Sequence, residues 1–183
     1  MIDENSIRLI RLTHSSELTH EFRTIYEEAF PPDERREWSQ TIDLLSNPSF
    51  NFLGIYDLKR IIGLLSVWNL NEFHFVEHFA IQDIDRGKGF GYQIIQQLQG
   101  QILTPIILEV EEPFTEMAQK RVAFYERLNF HVCDLEYYQP HYSISKTSVK
   151  MLLMSFPVKL SHDSLIQIKA RIYDSVYHFT AKS

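Results

Sequence analysis

The chain has 183 residues, 44% of them hydrophobic, which is enough to bury one good core and makes a single domain the expectation. A net charge of −6 without a dense basic patch argues against nucleic-acid binding and favours a cationic or neutral substrate. A lone cysteine, Cys133, excludes an intrachain disulfide framework and a zinc cluster, no stretch approaches the roughly eighteen apolar residues of a membrane span, and Met1-Ile2-Asp3-Glu4-Asn5 lacks a basic region leading into an apolar one, so a cytoplasmic protein is expected.

Ile7 to Leu12 reads as a short first strand. Leu18, Phe22, Ile25 and Ala29 then recur at spacings of four, three and four, marking a helix that Pro31-Pro32 ends because proline lacks the backbone donor and clashes with the preceding turn. The charged run Asp33-Glu34-Arg35-Arg36 leads into a second helix from Trp38 to Leu45. Phe50 to Tyr56 and Arg60 to Leu70 read as a hairpin turning at Asp57-Leu58-Lys59, and Phe73 to Ile81 is the fourth strand. After a glycine-rich stretch comes a helical pattern from Tyr92 to Ile102, then Ile106 to Val110, whose unbroken apolar character marks a central strand. Ala118, Val122, Tyr125 and Leu128 lie at helical spacing, and two last strands, near Phe130 to Tyr137 and Val149 to Phe156, flank a loop with Gln139-Pro140-His141-Tyr142. This alternation predicts an α/β or α+β fold built on one sheet. Leu165, Ile168, Ile172, Val176 and Phe179 predict an extra amphipathic helix after that core, whose apolar face needs cover from its own domain or from a second copy in a homodimer.

Asp85-Arg86-Gly87-Lys88-Gly89-Phe90-Gly91 carries three glycines in five positions between a strand and a helix. Glycine lets the backbone pass close to a ligand, and first-turn amides at the positive end of a helix dipole favour an anion. A phosphate or pyrophosphate cradle is therefore expected, with a glycine-rich surface turn as the alternative. The P-loop pattern fails, since Lys88 precedes the second glycine with no hydroxyl residue after it, and the dinucleotide fingerprint fails because only Phe90 separates Gly89 from Gly91. Arg-x-x-Gly-x-Gly, read as Arg86, Gly89 and Gly91, resembles the acetyl-coenzyme A (acetyl-CoA) signature of the GNAT (GCN5-related) N-acetyltransferase superfamily. Ala123-Phe124-Tyr125-Glu126-Arg127-Leu128-Asn129-Phe130 is similar to that family's fourth-helix motif, in which a tyrosine lies beside the sulfur of coenzyme A. Asn129 stands where most members have glycine, and asparagine is the next best occupant of a left-handed helix cap. For Tyr125 by itself, core packing is the competing account, although one tyrosine can pack its ring and present its hydroxyl at a cleft.

The resemblance implies the acyl-CoA N-acyltransferase fold, a mixed sheet of about seven strands flanked by helices, with residues 1–158 as the acetyltransferase domain and 159–183 as a helical extension. It implies transfer of an acetyl group from acetyl-CoA to an amine of a small molecule or peptide, with no metal and no nucleic-acid or membrane partner. It also implies that the fourth strand splays from the fifth, that a backbone amide around Phe79, Ala80 and Ile81 polarises the thioester carbonyl, and that Arg86, Gly87, Lys88, Gly89, Phe90 and Gly91 hold the pyrophosphate. Tyr125 is the candidate acid. The candidate bases are Glu109, pointing away from Leu108 and Val110, and Glu77, placed by alternation on the face of Phe75, Phe79 and Ile81; an ion pair or an exposed strand end is the competing account of each. Arg121 either reaches the cofactor or lines its helix. His74 and His78 fall on one strand face about 13 Å apart, too far for one metal ion. A catalytically silent acyl-CoA-binding module is the rival reading, and O-acyl transfer or a longer acyl chain stays open.

Overall fold

The computed structural model describes residues 7–143 and 145–179. Its strands are β1 (Ile7–Leu12), β2 (Phe50–Asp57), β3 (Arg60–Asn69), β4 (His74–Ile81), β5 (Ile106–Glu111), β6 (His131–Val132), β7 (Tyr137–Gln139) and β8 (Val149–Phe156). The helices are α1 (His20–Ala29), α2 (Trp38–Asp43), α3 (Phe90–Gln101), α4 (Glu116–Glu126) and α5 (His162–Ser175). One sheet has the order β1-β2-β3-β4-β5-β8-β6, with β7 also paired to β8. Eight strands stand where about seven are expected, because the stretch from Phe130 to Tyr137 is broken into β6 and β7. No helix among the described residues is long and apolar enough to cross a membrane.

Both faces of the sheet are covered, which explains the nearly unbroken apolar character of its central strands. On one face Phe22, Ile25 and Tyr26 of α1 pack with Leu165, Ile172 and Val176 of the C-terminal segment, over Phe52, Leu64, Phe75 and Ile107. On the other, Ile94, Ile95 and Leu98 of α3 and Tyr125 of α4 pack over Ile62, Val76, Leu108 and Val110. Local signals set the helix ends. Thr115 accepts from the amide of Ala118 (3.1 Å) and Ser161 from that of Ser164 (3.3 Å), each satisfying a donor the helix leaves free. Asn129, just past α4, is left-handed (φ +62°), so the cap role read for it is the one it plays. The β2–β3 turn places the left-handed φ of +56° on Leu58, where a two-residue hairpin turn prefers glycine.

Two features of β4 prepare a site. First, Ser66 pairs with His78 and Val67 with Val76, so Glu77 is the extra residue of a β-bulge. The bulge resets the side-chain alternation. Glu77 stays with Phe75 on the α1/α5 face and His78 joins it there, while Phe79 and Ile81 pack on the α3/α4 face. Strict alternation therefore misplaces Glu77 relative to Phe79 and Ile81, and it misplaces His78 relative to His74, which bonds Thr104 (2.8 Å) instead. Second, β4 and β5 run parallel for only three pairs, His74–Ile106, Phe75–Ile107 and Val76–Leu108, and then separate. Beyond Val76 the edge of β4 facing β5 has no strand partner among the described residues.

Candidate active site

The separation opens a cleft of about 790 Å³ that runs from the glycine loop, between the two strands, to the far side of the sheet. At its entrance Gly87 and Gly89 are left-handed, with φ of +76° and +83°. A Cβ on either would meet nothing within 4 Å, so it is backbone conformation, not space, that calls for glycine. Gly89 caps α3, whose first residue is Phe90, so the helix begins two residues earlier than its apolar period suggests and its free first-turn amides face the cleft. Gly91 differs from the other two. Its φ is ordinary, and an added Cβ would rest at 3.5 Å from Phe124 and 3.7 Å from Phe79.

The loop's two cations are engaged by carboxylates of the same turn. Arg86 pairs with Asp83 (2.8 Å) and donates to the carbonyl of Ile81 (3.1 Å), and Lys88 pairs with Asp85 (2.9 Å). Asp85 also takes both guanidinium nitrogens of Arg60, and the hydrogen bonds from Arg60 and Lys88 hold its carboxyl down at about 2. The turn is thus braced from within, and its backbone amides remain the groups free for an anion.

Midway along the cleft, Tyr125 packs its ring against Phe124 and Phe130 at centroid distances of 5.0 and 5.5 Å. Burial pushes its hydroxyl up to about 12, so it is a neutral phenol at pH 7. It both packs and lines the cleft, the two roles its position in the helical stripe allows. Arg121, one turn earlier, is paired with Glu111. Cys133 is buried, and burial pushes its thiol up, away from the nucleophilic form.

The two candidate carboxylates meet the far part of the cleft in opposite states. Glu77 accepts from Arg36 (2.9 Å), the Trp68 indole (2.8 Å) and the Tyr142 hydroxyl (3.1 Å). Burial acts to raise its pKa, but the Arg36 guanidinium and the Trp68 bond outweigh it and keep Glu77 ionised. Glu109 has no cation paired to it among the described residues. It accepts from the Tyr177 hydroxyl (2.5 Å) and the Tyr137 hydroxyl (2.7 Å), and burial lifts it to about 8 against the bonds from those two tyrosines. His78, held between Tyr26 and Phe30, is pushed by burial to about 4 and is neutral at pH 7. No metal-binding group of histidine, cysteine, aspartate or glutamate is found among the described residues.

Glu77, Phe79, Ala80, Ile81, Arg86, Gly87, Gly89, Phe90, Gly91, Glu109 and Tyr125 all border this one cleft, while Lys88 does not line it. The partners of the carboxylates escape a reading of the sequence: Trp68, Tyr137, Tyr142 and Tyr177 come from four separate segments, and none belongs to a motif.

A family profile described as an acetyltransferase (GNAT) domain matches residues 13–148, about three quarters of the chain. The chain belongs to the GNAT acetyltransferase family. Among solved structures, a protein assigned to the GNAT family from Bacteroides thetaiotaomicron is 30% identical, with a TM-score of 0.87, covering 94% of this chain and 99% of its own. Two others share the GNAT fold at lower identity. The ribosomal-protein-S18-alanine N-acetyltransferase of Escherichia coli is 14% identical (TM-score 0.59; 86% of this chain, 97% of that one). A variant of the spermidine N-acetyltransferase of Vibrio cholerae is 16% identical (TM-score 0.61; 84% and 94%). A comparison with curated protein sequences finds no match. In GNAT terms, the parting of β4 from β5 is the splay that the resemblance implies, and the glycine loop and Tyr125 border the same opening.

Proposed function

We propose that this GNAT protein is a cytoplasmic N-acetyltransferase that moves an acetyl group from acetyl-CoA to an amine by direct attack in a ternary complex. The observation that carries the reading is the cleft itself, which joins a left-handed glycine cradle to a buried, uncompensated carboxylate through the gap between β4 and β5. The loop amides at the start of α3 suit the pyrophosphate, and the unpaired edge of β4 around Phe79, Ala80 and Ile81 suits the pantetheine arm and the thioester oxygen. Acetyl-CoA supplies the activated acyl group. The net charge of −6, with Glu34 on the cleft wall, suits a cationic or neutral amine, whether a small molecule, an N-terminus or a lysine. The amine-acetylating functions named for the two more distant relatives agree with that class.

Only the neutral amine attacks, and leaving a primary ammonium of pKa near 10.4 neutral at pH 7 costs about 4.6 kcal/mol. Glu109 is suited to take that proton, because burial has raised it to about 8, close to working pH. Glu77 is less suited. Its two oxygens are already bonded by Arg36, Trp68 and Tyr142, so it acts as an electrostatic anchor. Tyr125, at about 12, is a weaker acid than a coenzyme thiol of pKa about 8.5, so it stabilises the departing sulfur by donating a hydrogen bond and does not give up its proton outright.

Titration calorimetry tests the cradle, with acetyl-CoA and coenzyme A against a nicotinamide dinucleotide. Binding of the coenzyme A species alone at micromolar affinity is expected. An amine panel then tests the chemistry, with Glu109→Gln expected to lower kcat by about 100-fold or more. Tight cofactor binding with no amine converted would replace the enzyme with a silent acyl-CoA-binding module.

A further inference from the structure

The segment after α5 lies beyond the residues that the GNAT profile matches, yet its Tyr177 bonds Glu109, a carboxylate that lines the cleft. We propose that this C-terminal extension is part of the active site, with Tyr177 as a positioning residue that orients Glu109 and governs its ionisation. The proposal rests on the reading of Glu109 as the base.

The geometry places Tyr177 firmly. The carbonyl of Val176 accepts from Arg36 (2.6 Å), the same guanidinium that holds Glu77, so the chain is clamped one residue before the tyrosine. The ring of Tyr177 packs against that of Tyr142 at 5.1 Å, and its hydroxyl lies 2.5 Å from one oxygen of Glu109 and 3.4 Å from the Tyr142 hydroxyl. Tyr142 in turn lies 3.1 Å from Glu77. A phenol has one proton to donate: Tyr142 gives its own to Glu77 and Tyr177 directs its own at Glu109, with the two hydroxyl oxygens side by side at 3.4 Å. The tail therefore sets a second tyrosine hydroxyl beside that of Tyr142, one on the fixed carboxylate and one on the titrating one.

A donor to the charged form favours that form. Around Glu109, Tyr137 from β7 acts in the same sense, while Glu77 from β4 and Glu34 from the segment before α2 act against it, and Arg36 is already paired to Glu77. Tyr142 and Tyr173 are uncharged at neutral pH, since burial holds both above the ordinary phenol range. Loss of the Tyr177 hydroxyl leaves Tyr137 as the one direct donor among the described residues and shifts the balance toward the protonated acid. The ring carries the packing, so Tyr177→Phe separates the hydroxyl's effect from that of the fold.

The test is the pH profile of kcat/KM for the full chain, Tyr177→Phe and Lys169→Met. Lys169 anchors α5 to the carbonyl of Glu136 (2.9 Å) without touching Glu109, so its variant reports what loosening the tail does. The proposal expects Tyr177→Phe to move the limb on which the base ionises upward by about one pH unit, lowering kcat/KM at pH 7 about tenfold with recovery at higher pH. KM for acetyl-CoA and the Lys169→Met limb are expected to stay unchanged. A Tyr177→Phe limb that coincides with that of the unsubstituted protein, or one that Lys169→Met reproduces, overturns it. If the unsubstituted protein acetylates no amine, it is the proposed function that fails. The ionisation of Glu109 is then read directly, by carbon-13 NMR titration of glutamate-labelled protein with Glu109→Gln supplying the assignment. An upward displacement in Tyr177→Phe supports the inference, and an unmoved titration overturns it.

Discussion

At the scale of single residues, Glu109 shows how a fold bears a cost at the point where the proposed reaction needs a base. A carboxyl at about 8 in the folded chain and near 4.5 unfolded binds its proton more tightly when folded. Below about pH 4.5 both states are protonated and the group is neutral in its effect on stability. As pH rises from there toward 8, the unfolded chain ionises and the folded one resists, so stability falls by up to about 5 kcal/mol before levelling off. Glu109→Gln removes the titration. It is expected to flatten that slope and to make the protein more stable than the unsubstituted chain at pH 8 while acetyl transfer falls. Denaturant unfolding at pH 5 and pH 8 checks both halves, and a variant less stable at pH 8 would show that Glu109 is not held protonated. Sequence makes Glu109 and Tyr125 visible because each sits in a local pattern, a Leu-Glu-Val strand and an Ala-Phe-Tyr helix. It hides Tyr137, Tyr142 and Tyr177, whose only common property is that the fold brings them to the two buried carboxylates, Tyr137 and Tyr177 to Glu109 and Tyr142 to Glu77.

Among the elements, the glycine loop divides its motif in a way the spelling does not show. Gly89 is left-handed at the cap of α3, where any side chain costs about 1–2 kcal/mol of backbone strain, whereas Gly91 has an ordinary φ and room for a methyl group. Gly89→Ala is expected to lower the unfolding free energy by about 1 kcal/mol and to weaken coenzyme A binding; Gly91→Ala is expected to leave stability within ~0.5 kcal/mol. Denaturant midpoints and calorimetric Kd for the two variants decide it, and equal losses would place the strain elsewhere. The elements themselves are largely legible in the chain. The hairpin, the central strand, the helix after the glycines and the C-terminal helix all follow from periodicity and turn residues. The β4 bulge is not legible, because alternation assumes one residue per pleat. That single inserted residue puts Glu77 and His78 on one face, and it follows from the pairing with Ser66 and Val67, which no local pattern records.

Across the whole molecule, Arg36 ties together parts of the chain that are distant in sequence. From the segment before α2 it holds Glu77 on β4, the carbonyl of Val176 after α5 and the ring of Tyr142, whose centroid lies 4.8 Å from its guanidinium carbon. Its backbone amide donates to the Tyr26 hydroxyl (2.9 Å), which fixes it to α1 as well. The pair with Glu77 is buried, so the attraction is offset by desolvation, and its presence is weak evidence of net stabilisation. Breaking it is another matter. Arg36→Met leaves an ionised carboxylate buried with only two neutral donors, an arrangement that typically costs about 3–5 kcal/mol. At about 2–4 °C per kcal/mol for a chain of this size, a fall in Tm of roughly 10 °C follows. Glu77→Gln added to Arg36→Met removes the stranded charge, and the double variant is expected to recover part of that loss. The coupling between the two substitutions, read from thermal unfolding of both single variants and the double, separates this from simple loss of packing. Additive losses would mean that Arg36 acts through its contacts with Val176 and Tyr142 alone, whereas recovery would show that the tail, α1 and β4 are joined through one buried charge pair at the far end of the cleft.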